Sequence, residues 1–153
     1  MSKVNREFYI ICDNLRSRFN VGSIFRTADA LGVTKIYLGG ITPCPPHPEI
    51  HKVSLGATET VPWEHVRQAW RLVENLKERG VQIIALEQTK KSIDYTKFKP
   101  RFPVALIVGN EVNGVSKNLL KRADKVIHIP MHGKKESLNV SVAFGVAGFR
   151  IID

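Results

Sequence analysis

Short apolar runs alternate along this chain with stretches of helical period. "FYIIC" (Phe8–Cys12) reads as a buried strand. Val21, Ile24, Phe25, Ala28 and Leu31 then recur at the spacing of one helix face, which predicts a helix over 20–31. Asn20 suits its N-cap and Gly32 its stop. "KIYLGG" is a second strand. A long connection follows, opening with "TPCPPHPEIH", a proline-stiffened loop. Pro62 and Glu64 open a second helix towards Arg79, stopped by Gly80. "VQIIALE" and "FPVALIVGN" are the third and fourth strands, and Ser116 caps a short helix through Ala123. "KVIHIPM" is the fifth strand. The chain closes on a helix with Ser137 as N-cap, which puts Asn139 in its first turn.

Continuous apolar strands alternating with helices predict an α/β fold: a mostly parallel sheet with helices on both faces, as a single domain over 1–153. In such sheets ligands bind at the carboxyl ends of the strands. Asn14, Gly109-Asn110-Glu111 and the segment Met131 to Asn139 all fall there. The last helix is apolar nearly all round, which implies burial on more than one side. A subunit interface, most simply a symmetric homodimer, satisfies that.

Composition adds three constraints. The longest apolar region, Leu138 to Ile152, contains Asn139, Ser141 and Arg150 and is too short for a membrane span. Two cysteines, Cys12 and Cys44, give no disulfide framework, so a reduced, cytoplasmic protein is expected. The formal charge of +9 attracts polyanions. Several sites are excluded. No G-x-G-x-x-G follows the first strand, and "HGKKES" lacks the spacing of a P-loop. Cys44, His47 and His51 do not make a four-ligand zinc set. His65, His128 and His132 have no nucleophile and acid at triad spacing. No metal is expected.

Three segments carry chemistry. "NLRSRFNVGSIFRTADALG" places Arg26 six residues after Asn20, off the apolar stripe, with Arg16 and Arg18 on the same strand-to-helix unit. "LIVGNEVNGVS" is a strand ending in Gly109, Asn110 and the acid Glu111, with Gly114 allowing a tight turn. "MHGKKESLNVSVAFGV" is a polar loop running into the apolar helix.

Together and in this order, the three segments resemble the SpoU (TrmH-type) family of SPOUT RNA methyltransferases across essentially the whole chain. Asn20 and Arg26 resemble the family's first motif, "VGNEVNGVS" its second, and "IHIPMHGKKESLNVSVAFGV" its third. The resemblance implies a C-terminal deep trefoil knot, a homodimer, and S-adenosylmethionine as cofactor. It implies 2′-O-methylation of a ribose in tRNA or rRNA. Many relatives carry an extra N-terminal RNA-binding domain. None is expected here, because the first strand begins near Phe8.

By the same resemblance Leu86, Glu87, Gly109, Ile129, Met131 and Leu138 line the cofactor site. Arg26, Asn20, Glu111, Ser137 and Asn139 form the catalytic set. Arg26 would act as general base, or would stay charged and stabilise the developing alkoxide. A free guanidinium, with a pKa of roughly 12.5–13.8, resists the first role. Arg18, Lys134 and Lys135 are candidate phosphate contacts. The alternative to an enzyme is a non-catalytic RNA-binding dimer of the same fold.

Overall fold

The computed structural model describes residues 6–153. Its centre is a seven-stranded sheet of β1 (Phe8–Asp13), β2 (Lys35–Gly39), β3 (Trp63–Val66), β4 (Gln82–Leu86), β5 (Ile93–Asp94), β6 (Val104–Gly109) and β7 (Lys125–His128). They lie in the order β3-β2-β1-β6-β4-β7-β5, and every pair is parallel. Central β1 and β6 are buried at every position, as their continuous apolar runs require. Alternate residues enter separate cores. Phe8, Ile10, Leu106 and Val108 face α1 (Arg18–Leu31), α2 (Pro48–Ser54), α3 (Ala57–Thr60) and α6 (Val140–Ile152). Tyr9, Ile11, Ala105 and Ile107 face α4 (Ala69–Glu78) and α5 (Lys117–Leu120).

The α/β sheet with helices on both faces is therefore as expected, but five strands become seven. The segment from Pro62, expected to be helical, first forms β3, which pairs with Ile36–Gly39 at the sheet edge. Helix α4 begins only at Ala69, where Val73 and Leu76 supply its buried face. β5 is two residues long, a pairing too short to leave a sequence pattern. The proline-rich loop holds α2. Pro48 occupies its first turn, where a missing N–H costs nothing, and the His47 ring nitrogen accepts the Glu49 amide at 3.2 Å.

Two caps move. Ser17 caps α1, its hydroxyl accepting the Asn20 amide at 3.1 Å, so Asn20 lies in the first turn and is buried. Gly32 ends that helix in the left-handed region, as expected. Asn139, not Ser137, caps α6. Its side-chain oxygen accepts the amides of Ser141 at 2.9 Å and Val142 at 3.3 Å. An asparagine at N-cap places its oxygen where the unpaired first-turn amides converge, and here it outcompetes the serine two positions earlier.

Gly22 lets α1 approach α2. A Cβ there would sit 2.7 Å from the Ile50 carbonyl oxygen and 3.0 Å from Val53 Cβ. Gly22→Ala is expected to destabilise the protein by about 1–3 kcal/mol, because backbone cannot yield as a side chain can. Urea denaturation of the two proteins measures it.

Candidate functional site

The chain runs outward from β1 to β2 and β3 on one side, while β6, β4, β7 and β5 lie on the other. A crevice at the strand carboxyl ends is expected where such an order reverses. There a cleft of about 920 Å³ opens above β4, β6 and β7. Leu86, Glu87, Gly109, Ile129, Met131 and Leu138, the six expected cofactor contacts, all line it. So do Glu111, Lys134, Lys135, Ser137 and Asn139.

Close backbone packing builds the wall after β6. The amide of Asn110 bonds to the Gly114 carbonyl at 3.1 Å, and the Gly114 amide returns to Asn110 at 2.9 Å. This folds the turn back over Gly109, where a Cβ would lie 2.2 Å from the Val115 nitrogen. Gly114, at φ +71°, leaves room for the Glu87 carboxylate, which accepts the Val115 amide at 2.9 Å. Gly109 and Gly114 are thus required by the turn, and Glu87 braces it from β4.

The three chemical segments meet at the mouth of the cleft. One Glu111 oxygen accepts the Arg16 amide at 2.8 Å. The other accepts the Ser17 amide at 2.9 Å and the Asn20 side-chain amide at 3.0 Å. The Asn20 oxygen in turn accepts the Asn139 side-chain amide at 3.1 Å. Asn139 then caps α6 and receives the Ser141 hydroxyl at 2.6 Å. One hydrogen-bonded chain, Glu111–Asn20–Asn139–Ser141, joins residues more than a hundred positions apart in sequence. Burial by itself would raise the Glu111 carboxyl. The Arg16 amide, the Asn20 side chain and the Ser17 amide outweigh it and hold the group below the usual carboxylate range.

Arg26 and Arg18 are placed elsewhere. Arg26 is exposed on α1 and does not line the cleft. Arg18 is also off the lining, 3.8 Å from Glu49. Sequence reasoning gave no role to three contributors. Asn110 ties its own turn to the end of β1, donating to the Asn14 carbonyl at 2.7 Å and accepting the Val112 and Asn113 amides. Its place in "GNE", with Gly114 beyond, was the available signal. Ser141 closes the polar chain, and His128 lines the cleft with its Nδ1 2.8 Å from the Ser92 hydroxyl. Among the described residues no group of three or more His, Cys, Asp or Glu could hold a metal ion, and no helix is long and apolar enough to cross a membrane.

The model of the SpoU rRNA Methylase family matches residues 7–149. The chain belongs to that family. A tRNA (guanosine(18)-2′-O)-methyltransferase of Aquifex aeolicus is 35% identical over 95% of this chain and 69% of its own length. The 23S rRNA (guanosine-2′-O-)-methyltransferase RlmB of Pectobacterium atrosepticum is 31% identical over 99% of this chain and 62% of its own. The AdoMet-bound rRNA methyltransferase from Sinorhizobium meliloti superposes with a TM-score of 0.89 at 31% identity. That match covers 95% of this chain and 56% of the other. This chain spans 57% to 69% of the length of the first curated relatives it matches. The SpoU fold is thus present here, with Asn20, Glu111 and Asn139 gathered at one cleft mouth.

The depressed Glu111 carboxyl adds stability that is present above its unfolded value of 4.5 and is lost as pH falls through the lower folded value. Glu111→Gln is therefore expected to lower the urea midpoint at neutral pH. The gap to the wild type should close below pH 4.5. A gap of constant size across that range would contradict the assignment.

Proposed function

We propose that this chain is an S-adenosylmethionine-dependent RNA methyltransferase acting on a ribose 2′-hydroxyl of tRNA or rRNA, as a cytoplasmic homodimer whose C-terminal segment forms the deep trefoil knot of its family. The observation that carries this reading is the hydrogen-bonded chain through Glu111, Asn20 and Asn139 at the mouth of the 920 Å³ cleft. Family membership and the relatives named above support the reaction type.

The cleft suits the donor chemically. Leu86, Ile129, Met131 and Leu138 offer apolar contact, and Leu138 remains 38% exposed there. Gly109 brings backbone to the wall without a side chain, and Glu87 and Glu136 suit a ligand with cationic groups. Bound there, the donor supplies an electrophilic methyl group on a sulfonium. A ribose 2′-hydroxyl placed beside it would be the methyl acceptor. The hydroxyl proton leaves to a base or to solvent. Asn20 and Glu111 hold the first and second motifs in register, Asn139 and Ser137 shape the third, and Lys134, Lys135 and Arg18 meet RNA phosphates.

Arg26 reaches this chemistry through the partner subunit. Helix α6 exposes an apolar stripe, with Val142 and Phe149 half exposed and Gly145 and Val146 between them. Thr27, next to Arg26 on α1, packs near that stripe: its Cγ2 would be 3.6 Å from a Cβ placed on Gly145. A dimer formed across α6 covers the stripe and carries the guanidinium of one chain towards the cleft of the other.

Arg26→Ala and Arg26→Lys are each expected to lower methyl transfer by on the order of a hundredfold, since an ammonium does not replace the planar fork. S-Adenosylmethionine affinity, measured by calorimetry, should stay unchanged. Absence of donor binding at millimolar concentration would remove the reading altogether. Mapping 2′-O-methyl groups in total RNA with and without the gene names the substrate. Phe149→Glu is expected to convert the dimer to a monomer in sedimentation, and a dimer that survives it would relocate the interface.

A further inference from the structure

A second groove lies on the opposite face of the sheet, between α4 and the edge strand β3, with a volume of about 560 Å³. Three separate parts of the chain bring cations to it: Lys35 from β2, Arg67 from the turn after β3, and Arg71 and Arg79 from α4 and its end. Glu64 is its one acidic lining residue and already pairs with Lys35 at 3.7 Å. Among the described residues neither Arg67 nor Arg71 forms an ion pair. The Arg71 guanidinium lies 5.2 Å from the Trp70 ring centroid, a contact that orients it without cancelling its charge. Arg79 lies close enough to Tyr37 on the groove floor for its charge to oppose the rise that burial gives the phenol. No run of basic residues in the sequence announces this cluster; the fold assembles it.

We propose that this groove is a phosphate-backbone track for the RNA substrate, separate from the methyl-transfer cleft. The inference rests on the RNA methyltransferase reading above and extends it to where the rest of the RNA lies. Spacing favours a polyanion over a single anion. Arg71 and Arg79 are eight residues apart on α4, roughly 12 Å along its axis, too far to grip one phosphate and suited to successive ones. The floor offers little to read a base, because Tyr37 is buried. Arginine suits the task, since its planar fork donates to phosphate oxygens in pairs. Between two and four strand spacings separate β2 and β3 from β6 and β4, roughly 10–20 Å across the sheet. One folded RNA spans that distance. Since α6 packs on the other face, a dimer formed through α6 leaves the groove open.

The test compares wild-type protein with Arg67→Ala/Arg71→Ala and with Lys97→Ala/Lys99→Ala, which removes the same charge near the far sheet edge. All four side chains are exposed, and thermal melts confirm equal folding. Binding of unfractionated tRNA and of fragmented rRNA is titrated across a salt series, and S-adenosylmethionine binding is titrated beside it. The arginine pair is expected to weaken RNA binding roughly tenfold and to reduce the salt slope by about 1.5, with donor binding intact. The lysine pair should change neither beyond a small effect of net charge. Equal losses in the two variants, or an unchanged slope in the arginine variant, overturn the groove while leaving the methyltransferase reading in place. Wild-type protein that binds the donor but neither RNA overturns the RNA reading and the groove together.

Discussion

The acceptance of three hydrogen bonds by Glu111 is the constraint around which the site is arranged. Its carboxylate ends one loop, fixes the start of α1 through two backbone amides, and orients Asn20. Asn20 then has one defined orientation, with its amide towards Glu111 and its oxygen towards Asn139. Asn139 is oriented in the same way by the α6 amides. Each group satisfies the next, so a change at one end is felt at the other. Asn20 is 4% exposed, and leaving its amide unpaired would cost more than the bond itself contributes.

This chain of bonds needs the sheet to hold its parts. β1 and β6 are neighbours in register, with Asp13 opposite Gly109, so the turns that follow them begin side by side. The Asp13 carboxylate accepts the Ser116 amide at 2.7 Å, and Asn110 reaches the Asn14 carbonyl. The carboxyl ends of β1 and β6 are therefore locked before any ligand arrives. The proposed chemistry is then preorganised by backbone satisfaction.

The fold was legible in the sequence because buried parallel strands declare themselves as apolar runs. The lining of the cleft came from the family resemblance: five of the six residues sit at or just after strand ends, and Leu138 lies in the loop before α6. The caps were less legible. Ser17 and Asn20, like Ser137 and Asn139, are pairs of good capping residues a turn or less apart, and local pattern does not rank them. Tertiary partners decided: Asn139 faces Asn20, while Ser137 lines the cleft. β3 was missed because tertiary pairing with β2 overrode a helix-start signal at Pro62 and Glu64. The basic groove was invisible for a related reason, since Lys35 and Arg79 come from distant segments.

The same bonds bear on how a ribose hydroxyl would lose its proton. A general base needs a free lone pair and an affinity for protons near neutral pH. Glu111 offers neither, for its oxygens are occupied and its carboxyl is held below the usual range. Asn20 and Asn139 do not titrate. The residues that join the three motifs therefore act in the proposed reaction by holding geometry. What remains for the proposed chemistry is charge: as the 2′-oxygen became an alkoxide, a guanidinium brought in by the proposed partner subunit would stabilise it without having to give up its own proton first. On that argument the charged role of Arg26 is favoured over the basic one. The proposed dimer would then be part of the catalytic machinery, because in a single chain Arg26 faces solvent outside the cleft.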